Sequence, residues 1–123
     1  MQRRSFGSVE VTWLDRAAVR KTVEGAVGRL VQDRPEIERV VLFGSLARGD
    51  AVPGSDVDLL VVVSDSDRPF LDRIAMFKPD GIPIGVDVFP YTEAELTSML
   101  EDGNPLVSRA LSEGIVLFER ARP

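Results

Sequence analysis

The chain has 123 residues, carries a formal net charge of −5, and contains neither cysteine nor histidine. Disulfides, thiolate metal sites and a histidine general base are therefore excluded, and any metal or acid–base chemistry falls to carboxylates. The acidic balance argues against a protein that grips long nucleic acid, because such binding needs tracks of Lys and Arg against the phosphates. The length suits one domain over residues 1–123, and no apolar run approaches a membrane span, so the expected location is cytoplasmic.

Apolar spacing and turn residues divide the chain into alternating helices and strands. Residues 1–11 are expected to form a loose lead-in with a short edge strand at Ser8–Val11. Capping-box spacing occurs at Thr12–Asp15 and at Thr92–Glu95, each time just before a predicted helix. Helices are predicted at Asp15–Gln32, Leu46–Arg48, Pro69–Phe77, Glu93–Glu101 and Leu106–Ser112, and strands at Glu38–Phe43, Asp56–Val63, Ile84–Phe89 and Ile115–Glu119. This alternation predicts an α/β (α+β) fold with a mixed β-sheet flanked by helices.

The most specific pattern in the chain lies between Val40 and Val63, which reads VVLFGSLARGDAVPGSDVDLLVVV. Asp56 and Asp58 open the second of two buried-strand patterns, and their spacing places both side chains on the same face. Two like charges held side by side repel each other unless a cation lies between them. Oxygen ligands of this kind suit Mg²⁺ or Mn²⁺. The aspartates therefore predict a divalent-metal site.

The first half of the same stretch predicts a phosphate-binding turn. Gly44 lets the backbone approach a ligand closely. Ser45 offers a hydroxyl and is expected to cap the short helix that follows, whose N-terminal N–H groups suit an anion. Arg48 has two interpretations, a fork for phosphate oxygens or a structural ion pair with Asp50 or Asp56. Together with the aspartates, the turn is expected to hold a nucleoside triphosphate between Ser45 and the metal.

A third carboxylate is available in the predicted strand IGVDVF. Asp87 lies between Val86 and Val88, so its side chain is expected on the opposite face from both valines. If this strand pairs beside VDLLVVV, Asp87 can join Asp56 and Asp58. A third carboxylate in that place could complete a second metal site and help to deprotonate an attacking hydroxyl.

Gly44-Ser45, ten intervening positions and Asp56-x-Asp58 resemble the signature of the DNA polymerase beta nucleotidyltransferase superfamily. More narrowly, the pattern is similar to minimal nucleotidyltransferase (MNT) domains, whose members include antitoxins paired with HEPN-domain toxins. The resemblance covers most of the chain, although only positions 43–62 are specific. It implies a small nucleotidyltransferase fold in which the catalytic residues and metal ligands are Asp56, Asp58 and Asp87. The candidate nucleotide-binding residues are Gly44, Ser45, Arg48 and Ser55.

The resemblance implies an enzyme that moves AMP from ATP onto a hydroxyl of a helical HEPN-type partner protein, with Mg²⁺ or Mn²⁺ as cofactor. Two alternatives stay open. One is a small-molecule nucleotidyltransferase of the aminoglycoside-modifying kind, although such enzymes carry a further helical domain for which this chain has no room. The other is a non-catalytic binding module that neutralises a partner by contact and keeps the site as a relic.

Overall fold

The computed structural model describes the backbone of residues 2–6 and 9–13 and the whole of residues 15–121. Two short strands, β1 (Gln2–Phe6) and β2 (Val9–Trp13), pair antiparallel in a two-stranded sheet. This pairing differs from the loose lead-in expected over residues 1–11. The short strand expected at Ser8–Val11 is confirmed over Val9–Val11, which lies in β2, and Ser8 is outside the described residues. The difference arises because β1 (QRRSF) lacks the apolar alternation that β2 (VEVTW) has, and backbone pairing holds it beside β2 all the same.

The elements that follow have the predicted order. The helices are α1 (Arg16–Asp33), α2 (Ser45–Arg48), α3 (Phe70–Met76), α4 (Glu93–Glu101) and α5 (Pro105–Glu113). The strands are β3 (Ile37–Phe43), β4 (Val57–Val63), β5 (Val86–Thr92) and β6 (Ile115–Glu119). The bounds of α4 and β6 are as predicted, whereas β5 begins two residues later and ends three residues later. It continues through Pro90 because β5 is an edge strand, where a missing N–H is tolerated.

Side-chain caps set the beginnings of three helices, and at α5 the Asn104 side chain accepts from the Val107 N–H at 3.1 Å. The Asp15 carboxylate accepts a hydrogen bond from the Ala18 N–H at 3.1 Å, so Asp15 caps α1. The expected capping role of Thr12 is wrong, since Thr12 lies in β2. The second predicted capping box is confirmed at α4, where Thr92 Oγ1 accepts from the Glu95 N–H at 3.1 Å and Glu95 Oε1 accepts from the Thr92 N–H at 2.9 Å.

The central sheet has the strand order β5-β4-β3-β6 and is mixed, as predicted: β4 is parallel to β5, and β3 is antiparallel to both β4 and β6. Helices cover both of its faces. On one face β4 packs against α1, through Val57, Leu59, Val61, Val19, Val23 and Val27. On the other face β4 packs against α4 and α5, through Leu60, Val62, Leu96, Val107 and Ala110. The expected helical cover over Leu60 and Val62 is therefore confirmed.

A buried arginine connects α3 to the C-terminal half of β5 through hydrogen bonds. Arg73 is only 6% exposed, and its guanidinium donates to both carboxylate oxygens of Glu95, at 2.6 and 3.1 Å. It also donates to the carbonyl oxygens of Pro90 and Arg68, at 3.2 and 3.0 Å. Because Glu95 closes the capping box of α4 as well, one carboxylate joins α3, β5 and α4. Within the described ranges, no helix is both long and apolar enough to cross a membrane.

Candidate functional site

The residues singled out in the sequence meet at one edge of the central sheet, where β3 ends and β4 and β5 begin. Phe43, the last residue of β3, is the Cα partner of Asp58, and Asp58 is in turn the Cα partner of Asp87. Residues opposite each other on adjacent parallel strands direct their side chains to the same face. The predicted pairing of β5 beside β4 is thus confirmed, and it places Asp87 next to Asp58 with Asp56 two residues earlier.

The Asp58 carboxyl lies in surroundings that disfavour its negative charge. Burial is the main factor that raises its pKa, and the charges of Asp87 and Asp56 raise it further, whereas Arg48 opposes the shift. Asp56 and Asp87 themselves are exposed, and Asp58 is half-buried. A cation placed among the three carboxylates would relieve this repulsion.

Gly44 brings the end of β3 against Asp58. Its backbone, with φ 78° and ψ −156°, adopts a conformation that is essentially restricted to glycine. A Cβ at this position would also collide with the Asp58 carboxylate oxygen Oδ2. Gly44 occupies the N-cap position of α2 without a side-chain cap, so the expected capping role of Ser45 is wrong. Ser45 is instead the first helical residue, and its hydroxyl makes no hydrogen bond with any residue of the 15–121 segment.

Arg48 and Ser55 have partners within the protein. The Arg48 guanidinium donates to Asp50 Oδ2 at 3.2 Å and to Glu113 Oε2 at 3.5 Å. The structural ion pair with Asp50 is therefore present, and Glu113 at the end of α5 is a partner that the sequence did not indicate. Both contacts are exposed, and such ion pairs are weak enough for the guanidinium to exchange partners. The Ser55 hydroxyl accepts from the Val52 N–H at 3.0 Å and so closes the turn before Asp56.

Gly85 is a site residue that the sequence analysis missed. It immediately precedes β5, and its carbonyl oxygen accepts a hydrogen bond from the Val57 N–H at 2.8 Å. A Cβ at position 85 would collide with the Asp56 carboxylate oxygen Oδ1. The available signal was its spacing of two residues before Asp87, which places both positions on the same face of β5.

The donor set fits a hard divalent cation, since three carboxylates adjoin at one edge and one of them is half-buried among like charges. Among residues 15–121, however, no three acidic side chains converge closely enough to hold an ion together. Asp58 Oδ2 is the atom nearest to a Cβ built at Gly44, and Asp56 Oδ1 is the atom nearest to a Cβ built at Gly85. A cavity of about 470 Å³ lies at the other end of the sheet, where β3 begins and β6 ends, and its lining includes Glu38, Arg39, Glu119 and Arg120. The candidate site is distinct from that cavity.

Comparison with known proteins agrees with this geometry. Residues 21–116 match the family described as "Nucleotidyltransferase domain". A candidate protein adenylyltransferase of Methanocaldococcus jannaschii is 31% identical over 85 residues, which cover 66% of this chain and 58% of that protein. A second candidate protein adenylyltransferase of the same organism is 24% identical over 89 residues, covering 72% of this chain and 83% of that protein. The chain thus spans little more than half of the first relative.

Solved structures show the same fold. A candidate nucleotidyltransferase from Sulfolobus solfataricus superposes with a TM-score of 0.61 at 25% identity, over 85% of this chain and 84% of that chain. A crystal structure of a toxin–antitoxin with AMP-PNP superposes with a TM-score of 0.56 at 20% identity, over 79% of this chain and 73% of that chain. The second likeness shows the fold alone. Since the family match extends over well more than half of the sequence, the chain belongs to the nucleotidyltransferase domain family.

Proposed function

We propose that this protein is a metal-dependent nucleotidyltransferase that transfers AMP from ATP to a hydroxyl group of a partner protein. The observation that carries the proposal is the in-register placement of Asp87 opposite Asp58, with Asp56 two residues before it, at the sheet edge reached by Gly44. Family membership gives the reaction class. The names of the two relatives, both candidate protein adenylyltransferases, support AMP as the transferred group and a protein as its acceptor.

The three aspartates, Ser45 and the backbone after Gly44 each have a role in this proposal. Asp56, Asp58 and Asp87 would hold Mg²⁺ or Mn²⁺, and a bound cation of this kind supplies charge neutralisation at the phosphates. The Ser45 hydroxyl and the backbone after Gly44 bind the β- and γ-phosphates. The Asp87 carboxylate accepts the proton of the acceptor hydroxyl, whose oxygen forms a bond to the α-phosphorus. The bond from that phosphorus to the β-phosphate oxygen breaks, and pyrophosphate leaves. Positioning and electrostatics carry the catalysis.

We further propose that the acceptor is a toxin of the HEPN type and that the chain acts as its antitoxin. Support comes from the resemblance to minimal nucleotidyltransferase domains and from the fold shared with the antitoxin-containing crystal structure. A partner protein can bring both the hydroxyl and its own docking surface, and burial of that surface would supply the orientation that the transfer needs.

The test is to incubate the purified chain with ATP, Mg²⁺ and the protein encoded next to it, and to weigh the partner by intact mass spectrometry. The expected result is the addition of AMP-sized mass, which is lost when Asp56 and Asp58 are both changed to Asn. A matched control changes Asp65 and Asp67 to Asn, because this exposed pair has the same spacing and charge but lies in the loop after β4. The control should transfer AMP as the wild type does.

The alternative of a non-catalytic binding module predicts a different outcome of the same experiment. The partner would keep its mass, and the wild type and the Asp56→Asn/Asp58→Asn variant would neutralise it equally. An unmodified partner in a tight complex with the wild-type chain would therefore overturn the enzymatic proposal.

A further inference from the structure

Gly85 leaves a space that the Asp56 side chain occupies. We propose that Gly85 is a positioning residue: the absence of a Cβ at position 85 keeps the Asp56 carboxylate over the strand that carries Asp87. This inference rests on the proposed metal-dependent transfer and adds a residue that contacts neither the nucleotide nor the cation. Its basis is that a Cβ built on Gly85 meets Asp56 Oδ1, with the Asp56 carboxylate carbon as the next nearest atom at 3.1 Å.

The backbone at Gly85 has little freedom to move away from such a collision. The Gly85 carbonyl oxygen accepts from the Val57 N–H at 2.8 Å, and the next pairs in register are Val57 with Val86 and Asp58 with Asp87. The start of β5 is thereby held against the start of β4. Asp56 is the mobile partner, because its side chain is exposed and makes no hydrogen bond or ion pair with any residue between 15 and 121. A side chain at position 85 would therefore displace the Asp56 carboxylate and leave the strands in place.

The direction of that displacement matters for ligation. Gly85 and Asp87 are two residues apart on one strand, so the space above Gly85 lies on the same face as the Asp87 side chain. A carboxylate in this space is on the β5 side of the site, on the same face as Asp87. Filling the space forces Asp56 away from β5 and increases its separation from Asp87. Because a wider separation of the carboxylates weakens their joint ligation of a cation, the affinity for the cation should fall.

Replacement of Gly85 by alanine should leave the fold intact. The φ angle of Gly85 lies outside the left-handed region, so the backbone itself tolerates a Cβ. We expect Gly85→Ala to lower the affinity for Mn²⁺, measured by calorimetry without nucleotide, by roughly tenfold to a hundredfold, as for loss of an outer-sphere partner. Thermal unfolding in chelator should change little. A matched control is Gly28→Ala in α1, where a Cβ meets no atom within 4 Å, and it should bind Mn²⁺ as the wild type does.

A double-mutant cycle separates positioning from a general structural effect. In the Asp56→Ala background the carboxylate is absent, so adding Gly85→Ala should cause no further loss of Mn²⁺ affinity. If Gly85→Ala alone fails to fold, recovery of folding in the double variant supports the collision, and failure to recover overturns it. Wild-type-like binding by Gly85→Ala, or an equal loss in both backgrounds, also overturns the inference. Absence of Mn²⁺ binding by the wild type would instead remove the metal-dependent function itself.

Discussion

Replacement of Gly44 by alanine should destabilise the protein more than the same change at Gly49, although both glycines have positive φ. Gly44 has φ 78° and ψ −156°, and Gly49 has φ 86° and ψ 13°. The Gly49 conformation is the left-handed helical one that ends α2, and a Cβ there meets no atom within 4 Å. At Gly44 a Cβ would collide with Asp58 Oδ2. Both variants therefore carry backbone strain, which is greater at Gly44, and only the Gly44 variant also meets a side chain of the site.

The magnitudes follow from these two environments. An alanine at Gly49 should cost about 1 kcal/mol, because left-handed strain of about 1–2 kcal/mol is partly offset by the lower entropy of the unfolded chain. The conformation of Gly44 costs of order 1–3 kcal/mol for a residue with a Cβ. Forcing the Asp58 side chain off its rotamer adds about 0.5–1.5 kcal/mol. We therefore expect a loss of about 2–3 kcal/mol for Gly44→Ala, at least about 1 kcal/mol more than for Gly49→Ala.

Urea unfolding followed by circular dichroism measures both losses, and thermal unfolding should show a decrease of roughly 3–5 °C per kcal/mol for a chain of this size. The measurements belong in chelator, so that metal binding does not contribute. Adding Asp58→Ala to Gly44→Ala should recover the part that comes from the collision. Equal losses for Gly44→Ala and Gly49→Ala would refute the argument, because the Asp58 contact would then contribute nothing.

Two further predictions concern carboxylates. Asp58→Asn removes a negative charge that burial, Asp87 and Asp56 disfavour. The stability of the metal-free protein near neutral pH should therefore stay equal or rise, while transfer activity should fall by more than about a hundredfold. A strongly destabilised metal-free variant would contradict this. The Arg73 guanidinium holds the pKa of Glu95 below its usual 4.5. A carboxylate whose pKa is lowered by folding stabilises the protein at higher pH, and this stabilisation is lost on acidification. The stability of the wild type should therefore exceed that of Glu95→Gln fully near neutral pH, and the difference should shrink below about pH 4.5. A difference in stability that is constant with pH would count against the ion pair.

The sequence was sufficient to predict the sheet edge at which the site forms. The alternation of VDLLVVV and IGVDVF indicated two strands, and the position of Asp87 between two valines indicated its face. The parallel pairing of β4 with β5 then places Asp87 opposite Asp58. These features were predictable because each depends on the spacing of residues within one strand, and that spacing determines the face of the sheet to which each side chain points.

The features that the sequence did not reveal depend on contacts between distant positions. Gly85 meets Asp56, which is 29 positions earlier in the numbering, and nothing in the local pattern of either residue records the contact. Arg73 likewise resembles a surface residue of a short helix until Glu95, 22 residues later, is placed beside it. Gly44, and not Ser45, occupies the N-cap position of α2. The unusual ψ angle of Gly44 at this position could not be predicted from a Gly-Ser pair.

The aspartates of the site also help to fix the register of the strand that carries them. Leu59, Leu60 and Val61 are fully buried, and each contributes about 1.5–3 kcal/mol. Because β4 is apolar on both faces, alternation alone does not forbid a slip of the strand by one residue. Such a slip toward the interior would move Asp58 to the fully buried position of Leu59, where an unpaired carboxylate is costly. The half-buried Asp58 therefore opposes this slip, and the same residue that is proposed to bind the metal helps to hold the site at the sheet edge.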